Sequence, residues 1–289
     1  MDVERRLREV VRDALPLPGA GETRRRFAAL ADLGGEDLSL ARLAEGHFDA
    51  LAILAELGGP APAPDSVWGV WAAKPDALEL GNGRVTGVKP FCSGAALCTH
   101  ALVTVGSGLY IAAPGEPVPG TWPATGMAAS DSRDVRFDGE PAARLGPYTD
   151  RPGFHHGGVG VAAVWYGGAR AIGRRLLDAR GPHALAHLGA VDLALRSART
   201  ALDEAADQID ADPLDRKGEA AVRALRVRAL VARVCADVPD RVGRALGAGP
   251  LAHDAAHGRR VADLAVYVRQ HHAERDLAAL GEQVDGRGW

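Results

Sequence analysis

Hydrophobic positions fall into three textures along the chain. Over residues 1–60, apolar side chains recur at helical spacing, as in Leu38, Ala41, Leu43, Phe48, Leu51, Ile53 and Leu54. Asp37 or Ser39 can cap the helix start, and Gly58-Gly59 can stop it. Alternating prolines from Pro60 to Pro64 then disfavour helix and mark a boundary. Residues 66–150 carry short runs rich in Val, Trp, Thr and Tyr, punctuated by Gly81-Asn82-Gly83, Gly106-Ser107-Gly108 and Pro114-Gly115. This predicts strands over 84–88, 101–105, 109–112 and 134–137, closed into a small antiparallel barrel or sandwich. Across 155–285 the turn signals thin out. Long Ala, Leu and Arg-rich stretches over 159–179, 183–210, 215–246 and 253–280 predict a four-helix up-and-down bundle, with breaks at Gly181-Pro182, Asp212-Pro213 and Gly247 to Pro250. The expected fold class is α+β.

Composition narrows the function classes. At 289 residues and 47% hydrophobic content the chain can bury a full core, so a disordered chain is excluded. A net charge of -3, with no basic stretch interleaved with aromatics, argues against a nucleic-acid partner. Cys92, Cys98 and Cys235 have neither the number nor the spacing of a disulfide framework or zinc site, which fits a reducing compartment. No signal-peptide core and no membrane-length apolar run is present, so a cytoplasmic protein is expected, with no membrane partner.

Local motifs add a resemblance. Gly87-Val88-Lys89-Pro90-Phe91-Cys92-Ser93 has the form of a strand ending in Gly-x-Lys, then an aromatic, any residue, and a hydroxyl. Gly126-Met127-Ala128-Ala129-Ser130 is followed by Val135-Arg136-Phe137-Asp138, and Gly157-Gly158-Val159-Gly160 opens the helical region. In that order these segments resemble the acyl-CoA dehydrogenase superfamily, whose architecture is helices, a small β-domain and a four-helix bundle. The resemblance implies an FAD-dependent oxidoreductase acting on an acyl thioester, such as an acyl-CoA, or a related small substrate. It also implies a homo-oligomer, a dimer or tetramer. The flavin ring would lie against Phe91, Cys92 and Ser93.

Departures from the family pattern keep other readings open. The N-terminal helical region is about half the family's usual size, implying a different substrate pocket. The family's first flavin strand carries Thr-Glu-Pro, where this chain has Ala73-Lys74-Pro75, next to Trp71. Trp71 and Ala73 therefore remain positional candidates for the cofactor, and Lys74 could meet a phosphate or simply be solvated. The Arg-x-x-Phe-Gly loop that reaches the pyrophosphate is absent between the first two bundle helices. Where the family places its Glu-Gly-Thr base, this chain has Gln270-His271-His272.

An imidazole titrates near neutrality, so His271 or His272 could act as a base or hydrogen-bond an oxygen adduct of the flavin; a solvated helix-end histidine is the competing reading. His155-His156 stands at the junction of β-domain and bundle, making His156 a further cofactor candidate. His253 and His257 share a helix face, which is more often a polar surface than a metal site. Three functions follow: a dehydrogenase, a flavin-dependent monooxygenase of the same fold, or a flavin-free binding protein. The glycines at 157, 158 and 160 have no strand before them, so they are read as permitting close helix approach and not as a dinucleotide fingerprint.

Overall fold

The computed structural model describes residues 2–284 and 286. The expected order of helices, β-region and helices is found. Helices α1 (Val3–Val10), α2 (Thr23–Glu36) and α3 (Leu38–Leu57) precede seven strands: β1 (Trp68–Trp71), β2 (Leu78–Gly81), β3 (Arg84–Cys92), β4 (His100–Val105), β5 (Gly108–Ala112), β6 (Glu116–Pro117) and β7 (Arg133–Pro147). Helices α4 (Pro152–Gly173), α5 (Pro182–Ala211), α6 (Ala220–Leu246), α7 (Gly249–His253), α8 (Ala255–Tyr267) and α9 (Glu274–Gly281) follow. Two compact units result. One holds the chain up to Leu15, Ser39–Ala124 and Ala128–Phe154; the other holds Pro16–Leu38, Thr125–Met127 and everything from His155 onward.

The sheet of the first unit runs β1-β4-β5-β7-β3-β2, with β6 paired to β7. It is mixed, because β1 pairs with β4 in parallel, where the sequence pattern predicts antiparallel pairing throughout. Strands β3 and β7 are also longer than the pattern predicts. Breaker residues explain the shortfall. Gly139 is an extra residue where Val85 faces Glu140 and Thr86 faces Asp138, and its φ of +90° is one that glycine adopts freely. Pro90 lies in the second register shift of β3, between Lys89 and Cys92, where no ladder N–H is needed. One face of the sheet buries Trp71, Leu78, Val85, Val103, Val135 and Phe137. On the other face, Ala50, Ile53 and Leu54 of α3 pack on Trp68, Leu102 and Leu109.

In the second unit, α2 crosses α4 with backbone against backbone. A Cβ on Gly34 would lie 2.2 Å from the Val164 carbonyl oxygen, and one on Gly167 would lie 1.9 Å from that of Ala31. Of the glycines where close approach is expected, Gly160 faces the Leu30 side chain of α2, 3.3 Å from where a Cβ would stand, whereas Gly158 faces only the Arg228 side chain, at 3.5 Å; the approach of backbone to backbone lies at Gly34 and Gly167. The last expected helix is broken into pieces. Asp254 adopts an extended conformation and its carboxylate accepts the Ala256 and His257 N–H groups, ending α7 and starting α8. A 3-10 turn, Val268–Gln270, follows α8, and Ala273 at φ 47°, ψ −116° reverses the chain before α9. Among the described residues no helix is long and apolar enough to cross a membrane.

Candidate functional site

The candidate residues fall into two groups, one in each unit. In the β-unit, the register shift between Lys89 and Cys92 re-aims the side chains around it. Phe91 takes φ +60° and leaves its ring 57% exposed, an unusual state for a large apolar side chain on a strand. Its neighbour Cys92 is fully buried with Sγ 3.2 Å from the Lys89 carbonyl oxygen, and burial pushes the thiol up. Ser93 is partly exposed. Its hydroxyl lies 2.8 Å from that of Ser132, which lies 2.8 Å from that of buried Ser130. The loop carrying those serines is also tied by backbone bonds, Gly94 N–H to the Ser130 carbonyl and Ala95 N–H to that of Asp131.

Trp71 is buried, and its indole N–H donates to the Ser93 carbonyl at 3.0 Å. Its ring therefore supports Ser93 from inside the unit. Ala73 sits half-buried in the loop after β1, and both its neighbours are fastened: the Ala72 carbonyl accepts the Thr104 hydroxyl, and the Lys74 carbonyl accepts the Lys89 ammonium. Lys89 is wholly buried and also donates to the Thr104 carbonyl and hydroxyl oxygens, each at 2.8 Å. Burial pulls its ammonium down to about 8, against the smaller opposing effects of Cys92 and Asp76. Sequence reasoning noted Lys89 only as part of a motif. The missed signal is its position on the inward face of a strand, where only a fully bonded ammonium is tolerated.

In the helical unit, His156 is buried on α4 with Nε2 3.1 Å from the Pro213 carbonyl oxygen. Asp263 of α8 is buried and accepts the Met127 N–H at 2.5 Å, docking the Thr125–Met127 segment on α8. Burial raises its carboxyl, opposed chiefly by that hydrogen bond.

The two adjacent histidines differ sharply. The His271 side chain is 8% exposed and that of His272 is 53% exposed. His271 Nδ1 accepts the Ala273 N–H at 3.2 Å, so a neutral ring carries its proton on Nε2. That Nε2 is buried, 4.0 Å from the Asp276 carboxylate and without a hydrogen-bond partner among the described residues. Burial lowers His271 below the ordinary histidine range; Asp276 and Glu274 oppose this, while Arg228 and His272 add to it. Asp276 accepts the His272 backbone N–H at 2.9 Å, and its other oxygen lies 3.5 Å from His272 Nδ1.

The segment is pinned from behind by Arg228 of α6. Its guanidinium donates to the Gly158 and Gln270 carbonyls at 2.9 Å each and stacks over Trp165, 4.7 Å from the ring centroid. Trp165 in turn meets Tyr267 edge-on at 6.2 Å. In the sequence Asp276 is one of the acids near the family's base position, with a spacing that does not match it, and Arg228 is not singled out. The spacing of His272 and Asp276, four apart, was the available signal for one of them; nothing in the chain order foretells the contact of Arg228 with Gln270.

No family model and no curated protein matches the chain by sequence. Solved structures do match. TdsC from Paenibacillus sp. A11-2, a dibenzothiophene monooxygenase solved with FMN and indole, superposes with a TM-score of 0.76 at 19% identity, over 97% of this chain and 94% of that one. A nitrososynthase from Micromonospora carbonacea var. africana gives 0.74 at 21% identity, over 98% and 88%. KijD3, solved with FMN and a dTDP-amino sugar, gives 0.70 at 20% identity, over 97% and 90%. At these identities the likeness speaks for fold alone, and the chain has the acyl-CoA dehydrogenase-like fold over nearly its whole length.

Proposed function

We propose that this chain is a flavin-dependent oxidoreductase of the monooxygenase type, binding FMN and oxidising a small organic substrate. The observation that carries the reading is the replacement of the dehydrogenase base by Gln270-His271-His272, with no carboxylate in that place. Removing an α-proton from an acyl thioester calls for a positioned carboxylate. FMN is favoured over FAD because the Arg-x-x-Phe-Gly loop is absent and because TdsC and KijD3 have been solved with FMN bound.

The residues present fit such a cofactor. An exposed Phe91 ring beside a partly exposed Ser93 hydroxyl suits a flat aromatic system with a polar edge. Ser93 uses one bond toward Ser132 and keeps capacity for another. When bound, the flavin supplies the redox chemistry. The chain's part is to hold Ser93 in place through Trp71 and Ser132, and to offer a histidine for proton transfer.

The test is to supply the purified protein with FMN or FAD under reducing and oxidising conditions. Tight binding of reduced FMN, followed by oxygen consumption that depends on a small aromatic or amine substrate, is the expected result. Bleaching of a bound flavin by an acyl-CoA without oxygen would instead support the dehydrogenase. No uptake of either flavin in either redox state would leave the binding protein.

A further inference from the structure

The adjacent histidines are wired in opposite senses, and this assigns them different work. His271 accepts a backbone N–H at Nδ1 from Ala273 at 3.2 Å. A neutral ring so held has no lone pair left to take a proton, and its Nε2 is enclosed. His272 has the reverse arrangement. Its Nδ1 faces an Asp276 oxygen at 3.5 Å, while more than half of its side chain, at 53%, is open to solvent. A carboxylate facing Nδ1 favours the tautomer with the proton there, which leaves the lone pair on Nε2.

Asp276 is fixed for this task. Its second oxygen accepts the His272 backbone N–H at 2.9 Å, its side chain is only 16% exposed, and it stands in the first turn of α9, where the helix dipole favours a negative charge. The other charged groups facing this cluster are Arg275, 3.7 Å from Asp276, together with Glu274 and Arg228.

We infer that His272 and Asp276 form a proton-transferring dyad, in which His272 is the exchanging group, Asp276 its positioning residue and His271 a strut that takes no proton from substrate. For its reaction the inference rests on the oxidoreductase reading above. The lone pair on His272 Nε2 forms an N–H bond with a proton from an O–H or N–H group of the substrate. The electron pair of the broken bond stays on the substrate atom. The imidazolium charge faces Asp276, and the proton then leaves from Nε2 to water.

The experiment is nitrogen-15 NMR of the ring nitrogens in histidine-labelled protein, assigned with His271→Gln and His272→Gln. Above the titration range the wild type should show His272 protonated on Nδ1 and His271 on Nε2. In Asp276→Asn the amide group replaces the carboxylate opposite Nδ1, so His272 should switch to the Nε2–H tautomer. With reduced flavin and substrate, His272→Gln and Asp276→Asn should each slow turnover about 100-fold or more, the size of a lost acid–base group. His272 found protonated on Nε2 in the wild type overturns the proposal, with no variant needed. So does an unchanged tautomer in Asp276→Asn. The wild-type tautomer pattern without any flavin-dependent turnover would keep the dyad and sink only the oxidoreductase reading.

Discussion

His47 in the β-unit and His271 in the helical unit use the same device with different surroundings. Each accepts a backbone N–H at Nδ1 from a distance of 3.2 Å, His47 from Trp68 and His271 from Ala273. Burial lowers both, His47 to about 4. His47, however, is enclosed on a regular helix and steadies the start of β1, whereas His271 sits where the helix has broken and hands an exposed neighbour to Asp276. The same lock therefore serves stability in one place and presentation in the other. What distinguishes them is the backbone beside each, regular in one case and forced through positive φ at Ala273 in the other.

The strongest way to break this comparison is through acid. A buried neutral histidine contributes stability that is present above its unfolded value of about 6.5 and is lost as pH falls through its folded value. For His47 the window runs from about 6.5 down to about 4, a loss of up to roughly 3 kcal/mol at 1.36 kcal/mol per unit. Urea midpoints measured from pH 7 to pH 4 should fall steeply for the wild type and much less for His47→Gln; parallel curves would show that His47 is not held neutral.

The next effect concerns Lys89, another buried cation-former of the β-unit. Lys89→Met strands the Lys74 and Thr104 acceptors and should cost about 2–3 kcal/mol at pH 7, read as a lowered urea midpoint. Because the Lys89 value is depressed to about 8, the charged form is disfavoured on folding, so the wild type gains stability as pH rises from about 8 toward 10.5. The gap between the two proteins should widen over that range.

A smaller change tests presentation against enclosure. Phe91→Ala should weaken FMN binding about tenfold, near the 0.5–1.5 kcal/mol of an aromatic contact plus its area, without lowering the melting temperature, since the ring is exposed. Equal flavin affinity would remove Phe91 from the site. The smallest effect belongs to Ala273→Gly, which removes the penalty of positive φ and should raise stability by up to about 1 kcal/mol while loosening the N–H that holds His271. Thermal unfolding and the His271 tautomer report those two outcomes separately.

How far the sequence carried these conclusions depends on what each residue's neighbours are. The helix, sheet, helix order was legible because period and breaker residues are local properties, as at Pro60 to Pro64. The strand ends were not, because Pro90 and Gly139 read as breakers until the register shows that each lies at an irregularity. The Ser93 segment could be picked out by its motif, but its bracing by Ser132 and Trp71 depends on contacts across 39 and 22 residues. Likewise the sequence offered His271 and His272 as equals. Only the turn at Ala273 separates an enclosed ring from an exposed one.

The burial of Lys89 has a practical side. The chain has only three lysines, and Lys74 and Lys217 are exposed. An amine-reactive label should therefore mark Lys74 and Lys217 at once and Lys89 only when the sheet opens, so the slow phase of lysine labelling is a clock for that opening, read at a single atom. Since reaction requires the uncharged amine, the clock would run in alkaline solution without denaturant, and any small molecule that tightens the β-unit would slow it whether or not turnover is known.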